Sequence, residues 1–194
     1  SSAGRNGSPP FLTIEFGGNT SCYYVEAGPF RVILDNGSGC RVLGNKLMTD
    51  KVIGKHFVNL LSHYHWDHVQ GLPFCVPYFI AANTFHIHGH RPISRDNPSF
   101  VTQAVEQALS EQQATPHFPV GHGSLPAKRF YHSHLAQFSE TFYYWCNDDG
   151  SYEFQPKQTV EGTGTLPPDQ KLDPSRWIKF TSVPLNHLDG CLGW

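Results

Sequence analysis

The sequence predicts an α/β fold, and three patterns support this class. The nearly continuous apolar run Phe57–Leu61 is typical of a buried strand. Segments that alternate apolar and polar residues, such as Phe11–Phe16, indicate strands with one covered face. Apolar residues at helical spacing, such as Leu43 and Leu47, indicate an amphipathic helix. A chain of 194 residues is long enough to bury a hydrophobic core, so we expect one α/β domain.

The first part of the chain is predicted to hold three strands and one helix. The strands are expected at Phe11–Phe16, Thr20–Glu26 and Phe30–Leu34, because apolar residues alternate there and glycine-rich turns separate the segments. The helix is expected over Arg41–Met48 and begins near Cys40, because its apolar side chains fall on one side.

The later elements follow in the order strand, helix, strand, surface loop and strand. The helix is expected to begin at a cap supplied by Asn97 or Ser99 and to end at Thr115-Pro116. A turn is expected at Asn147–Gly150. The predicted ranges, in order, are Thr84–His88, Ser99–Gln113, Phe138–Cys146, Thr159–Pro174 and Trp177–Leu185.

The apolar run Phe57–Leu61 leads into a segment rich in metal-binding side chains. His63, His65, Asp67 and His68 fall within six residues. Side chains two positions apart at a strand end point the same way, so His63 and His65 are expected to face one pocket. A helix beginning next would bring Asp67 and His68 to that pocket. This ligand set suits zinc, and also manganese or iron, and four ligands on so short a segment favour two ions.

A second group of histidines, His86, His88 and His90, lies at the end of the predicted strand Thr84–His88. One interpretation is that they bind metal or contact substrate at the rim of the pocket. The other is that they are solvated side chains at a strand end. We favour the second, because no carboxylate accompanies them and most histidines are not ligands.

The aromatic residues Tyr143, Tyr144 and Trp145 also allow two interpretations. They would line a substrate cleft or cover a sheet face in the core. Residue burial preferences favour the sheet face.

The amino-acid composition argues against a nucleic-acid-binding protein, a disulfide-rich protein and a membrane protein. The formal net charge is −2 with histidine neutral, so no bulk attraction to nucleic acid is indicated. The five cysteines are widely spaced and form no C-x-x-C pair, which favours a reducing, cytoplasmic setting over a disulfide framework. No apolar run is long enough to cross a bilayer, so no membrane association is expected.

The histidine-rich segment resembles a known family signature. Ser62–His68, followed by Gly71–Phe74, resembles the H-x-H-x-D-H motif of the metallo-β-lactamase superfamily. The segment His63–Phe74 looks closer to the ribonuclease Z and cyclic-nucleotide phosphodiesterase branch than to the lactamases or glyoxalase II. The resemblance extends to the loop Asp35–Gly39, to Pro116–Val120 and to the segment Pro184–Trp194.

The resemblance implies a particular fold and indicates which part of that fold residues 1–194 form. The superfamily fold is a four-layer αββα sandwich built from two similar halves. We expect residues 1–194 to form a single domain of this kind that is truncated at its C-terminus, with the first half and the beginning of the second present.

The resemblance also implies a site. His63, His65 and His187 would bind one metal, and Asp67 and His68 would bind a second. Two zinc ions are expected in the intact domain, with a metal-bound hydroxide as the nucleophile. Asp67 would be the catalytic residue that orients or deprotonates this nucleophile. Asp35 would support the loop beneath the site without being a ligand. The superfamily also uses a bridging aspartate and a final histidine, both further along the chain than the counterpart of His187. Neither is present in this sequence, so we expect this chain to bind metal substoichiometrically and to show little turnover.

The expected substrate is a small-molecule or nucleotide phosphodiester, by likeness to this branch. Hydrolysis of thioesters or lactams is a second hypothesis. A third is a non-catalytic domain that senses a metal or ligand within a larger signalling protein. A further alternative is that another chain supplies the missing ligands, which would require a homo-oligomer.

Overall fold

The computed structural model describes residues 18–91, 105–156, 173–187 and 190–194. Within these ranges it contains both helices and strands, so the predicted α/β class is confirmed. The strands are β1 (Tyr23–Ala27), β2 (Phe30–Leu34), β3 (His56–Leu60), β4 (Thr84–His90), β5 (Lys128–His134), β6 (Thr141–Cys146), β7 (Tyr152–Pro156), β8 (Trp177–Thr181), β9 (Val183–Leu185) and β10 (Cys191–Gly193). The helices are α1 (Gly39–Thr49), the short α2 (Trp66–Val69) and α3 (Val105–Gln112), with single 3-10 turns at Leu72–Phe74, Val76–Phe79, His122–Ser124 and Pro174–Arg176.

The strands form three sheets. The largest has the order β1-β2-β3-β4-β5, with β1 antiparallel to β2 and the other pairs parallel. A second sheet has the antiparallel order β7-β6-β8, and β9 pairs with β10 as an antiparallel hairpin. Because four neighbouring strands of the large sheet run in parallel, their carboxyl ends share one edge, where loops can converge on a site.

Two apolar clusters divide the described molecule into layers. The first packs α1, α3 and the 3-10 turns against one face of the large sheet, around residues such as Ile33, Phe57 and Leu109. The second lies between the large sheet and the β7-β6-β8 sheet, where Val58 and Phe142 are buried. The resulting order of helices, sheet and sheet is compatible with the αββα sandwich that the resemblance implies. No described helix is long and apolar enough to cross a lipid bilayer.

Most predicted elements occur near their expected positions. The strand Phe30–Leu34 is confirmed at both ends, whereas the strand predicted at Thr20–Glu26 begins only at Tyr23. The predicted strand Trp177–Leu185 is interrupted at Ser182, whose backbone N–H donates to Glu140 O at 2.8 Å. The strand Phe11–Phe16, the helix caps Asn97 and Ser99, and most of the loop Thr159–Pro174 lie outside the described residues.

The interpretation of His86, His88 and His90 as solvated side chains is wrong. All three are buried, because β4 lies between β3 and β5 and the second sheet covers it. Tyr144 is buried in the same interface, so the favoured placement of this residue on a covered sheet face is confirmed.

Four histidines of β4 and β5 form a hydrogen-bonded group, which we call the histidine layer: His86, His88 and His134, which are buried, and His132, which is half-buried. His88 Nδ1 lies 2.8 Å from His134 Nε2, and its Nε2 lies 2.7 Å from the Tyr144 hydroxyl. The ring of His88 stacks on that of Phe142, with centroids 4.3 Å apart. These side chains therefore fill the space between the two sheets where aliphatic residues are usually found.

Candidate metal centre

The site begins where β3 ends. Leu61 N–H donates to His88 O at 2.8 Å, which continues the pairing with β4 for one residue beyond the strand. The chain then crosses the edge of the sheet and enters α2, with His65 as an extended N-cap residue. This path places His63 and His65 on the loop before the helix, and Asp67 and His68 in its first turn.

The structure brings three of the predicted ligands together. One ligand atom each of His63, His65 and His187 lies within 4.8 Å of those of the other two. The three ring centroids are 4.5 to 4.7 Å apart. His187 reaches this position from the segment that follows β9. Three imidazole nitrogens that converge on one point match the donor set of a zinc site with one open position.

The local environment keeps His63 suited to metal binding. Burial, assisted by the neighbouring rings of His68, His187 and His65, lowers the pKa of His63 to about 4. The imidazole is therefore neutral near pH 7, as a ligand must be. Its Nδ1 lies 3.0 Å from the Ser62 hydroxyl. If Nδ1–H donates to that oxygen, the lone pair of Nε2 is available for a metal.

Asp67 and His68 lie beside the triad as a separate pair. His68 Nε2 is 3.4 Å from Asp67 Oδ2, and the ring of His68 is 4.1 Å from that of His63 between centroids. The carboxylate of Asp67 is exposed. Their predicted role as ligands of a second ion stays a prediction.

Asp35 supports both groups from below. Its carboxylate accepts hydrogen bonds from Ser62 N–H at 2.8 Å and from the Ser62 and Ser21 hydroxyls. Asp35 Oδ2 also lies 2.8 Å from His68 Nδ1, so a proton on Nδ1 leaves Nε2 free to face the site. Asp35 is buried and has a φ of 58°, a conformation that aspartate and asparagine adopt more readily than other non-glycine residues. This placement fits the supporting role that the resemblance implies.

The Asp35 loop and the α2 segment touch through two glycines. Asn36 N–H donates to His68 O, and Gly71 N–H donates to Asn36 O, both at 2.7 Å. A Cβ atom on Gly71 would overlap the carbonyl of Gly37, and one on Gly37 would overlap the backbone of Asp67. The close approach of these backbones therefore requires glycine on each side.

Replacement of Gly71 with alanine is expected to lower the free energy of unfolding by about 1–3 kcal/mol, because the added methyl group collides with backbone that cannot rotate away. Urea denaturation measures this change. Gly123→Ala is the matched control, since nothing lies within 4 Å of its added Cβ. Equal unfolding midpoints for Gly71→Ala and the unmodified chain would contradict the proposed contact.

A cleft of about 410 Å³ adjoins the triad. It runs from His63 and His65 past α2 to the side of α3, where Glu111 lines it. Clefts of this volume are typical of small-molecule sites.

Several contributors to the site were not predicted from the sequence. Ser62 contacts Asp35, His63 and His68 at once, and Cys191 Sγ lies 4.0 Å from His63 Nδ1. The position of Ser62 directly before the histidines was the available signal. No local sequence pattern pointed to Cys191 or Glu111, because only the tertiary fold brings them to the site.

Comparisons with known proteins show similarity to lactamase-like proteins over about half of this chain. No family model matches the chain, and no solved structure matches it. The lactamase-like protein vrtG of Penicillium aethiopicum is 31% identical over 113 residues, which is 53% of this chain and 35% of that protein. The lactamase-like protein nscB of Neosartorya fischeri is 31% identical over 110 residues, 53% of this chain and 32% of that protein. The chain therefore spans about a third of the length of these curated relatives.

The relatives and the triad agree on a general class. Similarity to lactamase-like proteins, together with three converging histidines, supports a hydrolase-like fold that binds metal.

Proposed function

We propose that this chain carries the metal centre of a metallo-β-lactamase-superfamily hydrolase that cleaves phosphodiester bonds. The observation that carries the proposal is the convergence of His63, His65 and His187 within 4.8 Å. Zinc bound there would supply a Lewis acid and would lower the pKa of a coordinated water molecule. The remaining chemistry belongs to the side chains around the triad.

Each side chain has a defined part in this proposal. His63, His65 and His187 hold the first ion, and Ser62 fixes the ring of His63 through Nδ1. Asp67 and His68 hold a second ion, while Asp35 orients His68. The carboxylate of Asp67 is exposed beside His68, so solvent water can reach it and it can accept a proton from an attacking water molecule.

The choice of phosphodiesters is supported by sequence likeness. Trp66 and Gly71–Phe74 resemble the ribonuclease Z and cyclic-nucleotide phosphodiesterase branch. The five cysteines, all free thiols, fit a cytoplasmic location. The names of the relatives support a second candidate, hydrolysis of a lactam or another carbonyl substrate. A chromogenic cephalosporin assayed beside bis(p-nitrophenyl) phosphate separates the two.

Zinc affinity and hydrolysis of bis(p-nitrophenyl) phosphate test the proposal. His65→Ala is expected to weaken zinc binding by more than about a hundredfold, since even the loss of a group that only orients a ligand costs about 10–100-fold. Asp67→Ala is expected to retain the first ion and to lose hydrolysis. His117→Ala is the matched control, because His117 lines the cleft outside the triad. Because turnover by this chain is expected to be low, zinc affinity is the deciding measurement. Equal zinc affinity in His65→Ala, His117→Ala and the unmodified chain would refute the metal centre.

A further inference from the structure

The rings of His63 and His65 converge with that of His187, with centroids 4.5 to 4.7 Å apart, although the first two residues lie on the loop between β3 and α2. One residue, Tyr64, separates them. The backbone at His65 is extended, with φ −61° and ψ 148°. Neighbouring side chains on extended backbone point in different directions. A contact that fixes the side chain of Tyr64 therefore also fixes the directions of the two histidine rings beside it.

The hydroxyl of Tyr64 is bound at the end of β4. It donates a hydrogen bond to His90 O at 2.7 Å, and the two rings lie with centroids 4.8 Å apart. The tyrosine ring also packs against the first apolar cluster. The acceptor itself is held in place, because His90 pairs with His134 in the ladder between β4 and β5. Tyr64 thus ties the loop of the metal centre to a strand on which none of the three triad histidines lies.

Gly89 makes the close approach of Tyr64 possible. A Cβ atom at this buried position of β4 would lie 2.5 Å from the tyrosine hydroxyl oxygen and 3.2 Å from Cζ. The first of these distances is too short for carbon and oxygen that are not bonded, so a side chain at Gly89 would push the hydroxyl away. The hydroxyl of Tyr64 therefore occupies the space that a side chain on β4 would otherwise take.

The tie to β4 lies between two other fixed points of the same loop. Before it, Leu61 N–H donates to His88 O at 2.8 Å, and after it, His65 O accepts from His68 N–H at 2.9 Å. Groups that bind a metal or a substrate have to be held to within about 0.5 Å of their working geometry. A loop fixed by its backbone on both sides and by Tyr64 in the middle meets this requirement.

We propose that Tyr64 is a positioning residue of the metal centre, which turns His63 and His65 toward His187 by binding the end of β4 beside Gly89. Tyr64 acts through the backbone of its two neighbours and does not touch the ion. The inference rests on the metal centre of the proposed function, and it holds for any substrate that this centre cleaves.

Two measurements on the metal-loaded chain test the inference. Zinc affinity is measured by competition with a chromogenic chelator, and the visible absorption of bound Co²⁺ reports the geometry of the ligands. The variants are Tyr64→Phe, Gly89→Ala and the two combined. Tyr152→Phe is the matched control, because its hydroxyl also donates to a backbone carbonyl at 2.7 Å, that of Pro29, but belongs to β7. Urea denaturation records separately how far each substitution lowers stability.

Tyr64→Phe is expected to weaken zinc binding about tenfold, at the lower end of the 10–100-fold that is typical of groups that orient ligands, and to shift the Co²⁺ absorption bands. Gly89→Ala should weaken zinc binding similarly, because its methyl group displaces the hydroxyl. In the Tyr64→Phe background, Gly89→Ala should cost at least about threefold less, since substitutions at touching positions are not additive. Tyr152→Phe should leave zinc affinity and the Co²⁺ bands unchanged.

Unchanged zinc affinity and unchanged Co²⁺ bands in Tyr64→Phe would overturn the inference, even if that variant is less stable in urea. Full additivity of Tyr64→Phe and Gly89→Ala would overturn it as well. The ligand variant His65→Ala separates this failure from a failure of the metal centre. Weaker zinc binding in His65→Ala beside unchanged binding in Tyr64→Phe would count against Tyr64 alone, whereas unchanged binding in both would refute the metal centre too.

Discussion

Acidification from pH 7.5 to pH 5 is expected to destabilise the protein strongly, because the histidine layer is buried in its neutral form. Burial, together with the neighbouring ring of His132, lowers the pKa of His86 to about 3. Burial also lowers the pKa of His88 well below its usual value and that of His132 to about 4. In the unfolded chain these rings titrate near pH 6.5. Protonation below pH 6.5 therefore favours the unfolded state until the pH reaches the folded pKa values.

The loss of stability can be estimated from the lowered pKa of His86. At pH 5, which is about 1.5 units below the pKa of a histidine in the unfolded chain, His86 alone is expected to reduce the free energy of unfolding by about 2 kcal/mol, since each pH unit corresponds to about 1.4 kcal/mol. His88 and His132 act in the same direction. Glu140, 2.9 Å from His134 Nδ1, opposes the fall of the pKa of His134 and makes that residue a smaller contributor.

Urea denaturation at pH 7.5, 6 and 5 measures the effect, with His86→Phe as the informative variant. His86 Nε2 is buried without a hydrogen-bond partner, and the ring stacks on Phe130, so phenylalanine should be tolerated at pH 7.5. The variant should lose stability less steeply on acidification than the unmodified chain does. An unchanged slope in His86→Phe would contradict the role of the layer.

Asp35→Asn is expected to weaken zinc binding by about 10–100-fold, the cost typical of losing a group that orients metal ligands. Asparagine also tolerates a φ of 58°, so the backbone should keep its path. An asparagine side chain has only one oxygen. It therefore cannot accept hydrogen bonds in both places where the Asp35 carboxylate now accepts them, from Ser62 N–H and from His68 Nδ1. A buried donor left unpaired should also cost about 1–3 kcal/mol of stability.

The control for this variant is Asp50→Asn. Asp50 forms an exposed ion pair with Lys46 at 2.8 Å, and exposed pairs of this kind contribute little to stability. Zinc affinity by competition with a chromogenic chelator and stability by urea denaturation give the two readouts. If Asp35→Asn and Asp50→Asn behave alike, Asp35 does not orient the site.

Local sequence patterns predicted the fold class and the part of the site that is continuous in sequence. The spacing of His63 and His65 after an apolar strand pointed to one pocket, although both residues lie on the loop after β3, so the strand geometry behind that expectation does not itself set their directions. His187 required a family resemblance, since nothing local links it to His63. The burial of His86 and His88 was missed because polarity alone suggests exposure. Their environment depends on Tyr144 and Phe142, which come from β6 in the other sheet.

The position of His187 in the triad has a consequence for the order in which the molecule assembles. His187 follows His65 by 122 positions, yet their ring centroids are 4.7 Å apart. A metal held by both would act as a cross-link that closes a very long loop, and it would favour the folded state by restricting the unfolded chain. The β9–β10 hairpin would gain most, because Leu192 N–H to Ser62 O is a bond that joins it directly to the histidine segment. Metal binding would thus fasten the last described strands to the large sheet and would favour the folded state of this region.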